Sequence, residues 1–181
     1  MLYFFVFSAT IFIASRGNLM YENVTGVSLI EQYHLLVVIY TIFLACFFAY
    51  KVAFIYKKLS TKKPFVLFFV YLTGFIMSFG ALFPYTLNSR DLFSLIHVYC
   101  SMFSCISFLV ILFIYNRYLT YDNPILYNQI HWLYDLGLQF LCIMFLVFGR
   151  VNGYLEIMYA VLVCSYLYIL EKNIKKESLI Q

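Results

Sequence analysis

Two sets of side chains in this chain have the types and spacing to do chemistry. The first is Glu31 and His34, three residues apart, together with Asp91 and His97. Two imidazoles and two carboxylates gathered at one membrane face would offer nitrogen and oxygen ligands to a divalent metal, with His34 and His97 as its ligands. The same four groups could exchange protons as acid and base in catalysis. The second set is Lys51 with the stripe His131, Asp135 and Gln139, spaced i, i+4, i+8 and therefore on one helical face. Lys51 and Asp135 are expected to pair across two helices, as a structural bridge or as part of a proton relay, because an unpaired charge at that depth is costly. Both sets also have a plainer reading, as groups that solvate helix ends and pair with Arg16, Arg90, Arg150 and Lys51. No HExxH or CxxC spacing singles out a metal, so any cofactor remains unknown.

The elements that must position these groups are membrane spans. Of the 181 residues, 65% are hydrophobic and 11% charged. A soluble domain carries about 25% charged residues, so this chain cannot present a mostly polar surface to water. The apolar residues come in blocks, predicting an all-α polytopic transmembrane bundle. Its six spans lie near residues 2–15, 33–56, 64–83, 92–115, 129–148 and 154–170, in one integral membrane domain over 1–181. About 20 apolar residues cross a hydrocarbon core of roughly 30 Å. The first run is short, and three readings compete for it: a retained span, a signal peptide, or the remnant of a longer start. The missing basic residues ahead of it and the poor cleavage site at Ala14-Ser15-Arg16 favour a span.

The central hairpin is the most informative stretch. Pro64 suits a first helical turn and Pro84 ends the same helix. Between them Gly74, Ser78 and Ala81 share a face. The following span carries Ser94, His97, Ser101 and Ser104 on one face. Ala45, Ala49 and Ala53 make a similar stripe in the second span. Small-residue faces let helices approach closely, so these neighbours should pack against one another, with His97 turned inward. The five cysteines, Cys46, Cys100, Cys105, Cys142 and Cys164, all fall inside apolar runs and read as packing residues.

Orientation follows from the basic residues. Lys51, Lys57, Lys58, Lys62, Lys63, Arg117, Lys172, Lys175 and Lys176 fall on one side; only Arg16, Arg90 and Arg150 fall on the other. Nine against three is a positive-inside bias that puts both termini in the cytoplasm. Tyr33, Tyr56, Tyr85, Tyr115 and Tyr154 sit at span ends, as an interfacial belt would. The 16–32 connection holds an Asn23-Val24-Thr25 sequon, meaningful only in a lumenal loop of a eukaryotic chain. The 116–128 segment reads as a loop, and the tail after Leu170 as a frayed cytosolic end.

Gly80-Ala81-Leu82-Phe83-Pro84, then Arg90-Asp91, then His97 with Ser101 and Ser104, resembles the central hairpin of the FRAG/DRAM/Sfk-like membrane proteins and their uncharacterised bacterial relatives. The resemblance covers about residues 33–115. It implies six spans with cytoplasmic termini, Pro84, Asp91 and His97 as characteristic positions, and a lipid-linked role without a known reaction.

The expected function is therefore that of a multi-pass membrane protein, non-enzymatic and concerned with sensing, organising or trafficking lipids. Two alternatives stand beside it. One is a membrane-embedded lipid-modifying enzyme using Glu31, His34, Asp91 and His97. The other is a small proton-coupled transporter or immunity-type protein using Lys51, His131 and Asp135. The expected partners are the lipid bilayer and other membrane proteins. Nucleic acid is not among them, because no basic patch is interleaved with aromatic residues. A bacterial chain would sit in the plasma membrane.

Overall fold

A computed structural model describes residues 1–58, 63–86 and 91–177, with side chains through residue 174. Asn88, Arg90 and Lys62, and the side chains of Lys175 and Lys176, lie outside the described residues. The helices are α1 (Leu2–Ala14), α2 (Val24–Val27), α3 (Glu31–Tyr56), α4 (Pro64–Ala81), α5 (Leu92–Asp122), α6 (Pro124–Phe148) and α7 (Gly153–Glu177). There is no strand among the described residues. α3 to α7 are each long and apolar enough to cross a membrane; α1, at 13 residues, is shorter.

The outside of these helices is apolar. Phe4, Leu35, Phe65, Phe75, Leu92, Phe103, Ile143 and Leu146 are all exposed. Soluble monomers rarely expose contiguous apolar patches beyond a few hundred Å². A surface like this on helices of this length marks a membrane-embedded bundle.

The helices form two sets. α3, α4 and α5 pack side by side in chain order, and α7 packs between α1 and α6. Contacts of α5 with α6 and of α3 with α7 join the sets. Small residues explain the first set, one of them, Gly74, on a predicted stripe and the other, Gly80, off it. A Cβ built on Gly74 would lie 2.8 Å from the Ala49 Cβ, and one on Gly80 would lie 2.5 Å from the Cys100 Cβ. Backbones this close exist only because glycine stands at both positions. The expected close hairpin of the third and fourth spans is thus α4 against α5.

Between the helices the polar contacts are largely tyrosine hydroxyls. Tyr115 donates to the Val52 carbonyl at 2.8 Å, Tyr134 to Leu109 O at 2.7 Å and Tyr159 to Cys105 O at 3.1 Å. Tyr40 and Thr10 share a hydrogen bond at 2.5 Å, and Tyr166 donates to the Asn116 side chain. Lipid tails are as apolar as the side chains, so burial alone drives little association and such bonds count. This corrects the belt reading for two tyrosines. Tyr56 and Tyr115 are fully buried and stack on each other, ring centroids 5.2 Å apart. Tyr154 is exposed, and Tyr33 and Tyr85 are half-buried.

The 116–128 segment is not a loop. α5 continues to Asp122 and α6 begins at Pro124, so a single residue, Asn123, makes the turn. Asn123 ends α5 and caps α6, its side chain accepting from Leu126 N at 2.9 Å. The helices persist because Leu119 and Leu126 keep a core-facing side. α7 likewise runs past residue 170, because Leu167, Leu170 and Glu171 continue its buried face. The cysteines are all free: Cys164 is buried, Cys100 and Cys105 are half-buried, but Cys46 and Cys142 face outward rather than into the packing.

Candidate functional site

The end of the bundle where α3 and α5 begin is covered by the segment between α1 and α3. Its one helical turn, α2, is capped by Asn23, whose side chain accepts from Gly26 N at 2.7 Å. Two polar side chains pin it from opposite helices. The Glu156 carboxylate on α7 accepts from Val24 N at 2.5 Å. His97 on α5 meets the Thr25 hydroxyl through Nε2 at 3.3 Å. The other imidazole nitrogen, Nδ1, lies 2.9 Å from the Phe83 carbonyl. A carbonyl only accepts, so Nδ1 carries the hydrogen, and on a neutral ring Nε2 accepts from Thr25. His97 is buried and joins α5, the end of α4 and α2. Further bonds tie the segment to the start of α7: Gly153 N donates to Glu22 O at 2.7 Å, and the Asn152 side chain donates to Met20 O at 3.3 Å.

Of the four outer candidates, His34 lies near enough to His97 for their charges to interact. Glu31 is exposed on the first turn of α3. His34 is also exposed, its Nδ1 3.2 Å from the Ser28 carbonyl. Asp91 caps α5, accepting from Ser94 N at 3.1 Å. Only His97 points into the bundle. Among the described residues no three His, Cys, Asp or Glu side chains are grouped to hold a metal ion.

At the opposite end the structure replaces the expected pair. Lys51 bridges to Glu171 on α7, Nζ to Oε2 2.8 Å, not to Asp135. The side chains are 14% and 10% exposed. Tyr3 of α1 donates to the same carboxylate oxygen at 2.6 Å, and Lys51 Nζ sits 5.1 Å from the centre of the Tyr3 ring. Three helices meet in this knot. Sequence reasoning missed Glu171 because the last span was ended one residue too early. The signal was present: Cys164, Leu167 and Glu171 repeat at i, i+3, i+7 on the buried side of α7.

Asp135 and Gln139 are exposed on the outside of α6, with no hydrogen bond or ion pair to another described residue. His131 is half-buried on the same helix, its Nδ1 donating to Tyr127 O at 3.0 Å and its ring stacked on Tyr127. The stripe is continuous, as its spacing requires, but it faces away from the bundle. It therefore lies apart from Lys51.

Two adjoining grooves lie along α7. One, of about 360 Å³, lies between α1 and α7 and is lined by Phe4, Phe7, Cys164 and Tyr168. The other, of about 470 Å³, lies between α6 and α7 and is lined by Leu136, Phe140, Met158 and Leu162. Val161 and Ser165 line both. Compared with protein-family models, curated proteins and solved structures, the chain shows no match.

Proposed function

We propose that this protein crosses the membrane six times with both termini in the cytoplasm, that it is not an enzyme, and that it senses, organises or helps traffic lipids through the α1–α7–α6 face. The observation that carries the reading is the pair of apolar grooves meeting at Val161 and Ser165. Their volumes fall within the roughly 300–1,000 Å³ of small-molecule sites. They open on a lipid-facing surface, and acyl chains are the ligands such a surface meets.

Several features support the six crossings. α1 packs along α7, with Tyr3 at Glu171 near one end and Leu19 and Glu22 against Gly153 at the other. The helix and the residues after it thus run along α7, and the start of α1 meets the later turns of α7 at Glu171, next to Lys172, which supports the shared cytoplasmic side of the reading. The resemblance to the FRAG/DRAM/Sfk-like proteins carries the same topology. The enzyme reading has less support, because Glu31 is exposed, Asp91 caps α5, and no three of Glu31, His34, Asp91 and His97 are grouped to hold a metal ion. The relay reading has less as well, because Lys51 is engaged by Glu171 and Asp135 lies outside.

Filling the meeting point of the grooves tests the reading. The Val161→Phe/Ser165→Phe chain, purified in the same detergent, should lose at least about fivefold of its co-purified phospholipid by native mass spectrometry, with helicity unchanged. Equal lipid retention in both chains, or turnover of phospholipid by the pure protein, would overturn it.

A further inference from the structure

Given the lipid-binding reading above, on which this rests, we propose that the paired grooves hold one acyl chain of an anionic phospholipid of the cytoplasmic leaflet, with its headgroup on Lys172.

The grooves form one track along α7. Met158 lies toward one end and Tyr168 toward the other, with Val161 and Ser165 shared between them. Met158 and Tyr168 are roughly 15 Å apart along the helix. That is the depth of one leaflet in a hydrocarbon core of about 30 Å, so the track suits a single extended chain. Its two ends differ. At one end the lining is Phe140, Ile143 and Met158. At the other the rings of Tyr3 and Tyr168 meet edge to face, centroids 5.9 Å apart. Tyrosine offers an apolar ring and a polar tip, which suits the boundary between acyl chain and headgroup. Tyr168 precedes Glu171 by less than one helical turn, so this end lies beside the Lys51–Glu171 bridge. Between the ends only Ser165 and Gln139 bring a side-chain oxygen to the lining. A headgroup placed there would exchange its water for two neutral groups. The headgroup therefore belongs at the tyrosine rim and the tail toward Met158.

Charge at the rim selects the headgroup. Val161, Ser165 and Tyr168 follow one another at intervals of four and three, and the next step of four reaches Lys172. Lys172 thus stands on the groove-lining face of α7. Cα–Cβ bonds tilt toward a helix's N-terminus, so its stem sets off toward Tyr168 rather than away from it. Lys172 is exposed and makes no ion pair among the described residues. The neighbouring acid is already engaged: Glu171 receives Lys51 at 2.8 Å and Tyr3 at 2.6 Å. The Tyr3 ring is itself faced by the Lys51 ammonium, 5.1 Å from its centre. That ammonium opposes a choline or ethanolamine cation seated over the same ring. A headgroup anion meets a cation here, whereas a headgroup cation meets another cation. Lys57, Lys58 and Lys63, on the same side of the membrane in this reading, add to a field of the same sign.

Competition between two lipids is the test. The full-length protein is equilibrated with vesicles of equimolar phosphatidylglycerol and phosphatidylcholine carrying identical acyl chains, extracted in one detergent, and its bound lipid counted by native mass spectrometry. Phosphatidylglycerol should be retained about fivefold over phosphatidylcholine, the scale of one lysine beside an anionic lipid. Lys172→Gln should bring the ratio close to one without lowering phosphatidylcholine retention. Lys57→Gln, just beyond α3, should keep the preference, and Val161→Phe/Ser165→Phe should lose both lipids. An even ratio in the unsubstituted chain, a preference that survives Lys172→Gln, or one that disappears equally with Lys57→Gln would overturn the choice of headgroup while leaving the grooves a lipid site. Full retention of both lipids by the groove-filled chain would instead remove the lipid reading, and this assignment with it.

Discussion

Replacing Lys51 by methionine should destabilise the fold by about 3 kcal/mol, the scale expected when one partner of a buried ion pair is removed. The ammonium is held 2.8 Å from Glu171, and Tyr3 donates to the same oxygen. Without Lys51 the carboxylate keeps the tyrosine hydroxyl but loses the ammonium beside it, in a setting with little water. The cost comes from leaving the acid there without that ammonium more than from the lost attraction. Lys51→Met/Glu171→Met should therefore recover most of the loss, leaving a coupling between the two sites well above the 0.5 kcal/mol expected of distant residues. Unfolding of the four chains in one detergent mixture would measure this. A neutral Lys51→Met, or a double variant as unstable as the sum of its parts, would show that the bridge does not hold α3 to α7.

The second large effect is expected at Gly80. A methyl group there would stand 2.5 Å from the Cys100 Cβ and 3.6 Å from the His97 carbonyl. Both Cβ atoms are fixed to helical backbone, so no rotamer relieves the clash and α4 must move away from α5. Gly80→Ala should cost about 2 kcal/mol, within the range for overpacked cores. The displacement would also pull on the His97 bond to Phe83 O, which binds the same two helices. Restoring the space from the other side is the sharper check. Gly80→Ala/Cys100→Gly should be more stable than Gly80→Ala alone under the same unfolding conditions. If Cys100→Gly only adds to the loss, the close approach is not what glycine provides at this position.

Much of this architecture was legible because membrane solvation writes it in long runs. The apolar blocks and Pro64 locate α4, and the alanine stripe with Gly74 identifies the faces on which α3 and α4 meet, whereas α4 meets α5 closely at Gly80 and Cys100, outside the small-residue stripes. The inward direction of His97 followed from its serine neighbours on the same face. Other features depend on the third dimension. Tyrosines at span ends look alike whether they face headgroups or donate to a carbonyl of the next helix, so Tyr56 and Tyr115 were misplaced. An acid four residues from a histidine gives a stripe but not its direction, and the stripe of Asp135 turned out to face away from the bundle. Glu171 looked like part of a charged tail because hydropathy falls where the helix does not. The polar turn around Asn123 looked long because its residue types favour loops, yet one residue with Pro124 completes it.

Labelling from one side of the membrane tests the threading most directly. In cysteine-free chains carrying Met20→Cys, Lys57→Cys or Lys172→Cys, an impermeant thiol reagent added to intact cells should label Met20→Cys only. The other two should react only after the membrane is opened. Labelling of Met20→Cys and Lys172→Cys from the same side, or recovery of the intact chain in the aqueous fraction without detergent, would contradict a bundle in which α1 runs the length of α7 across the bilayer.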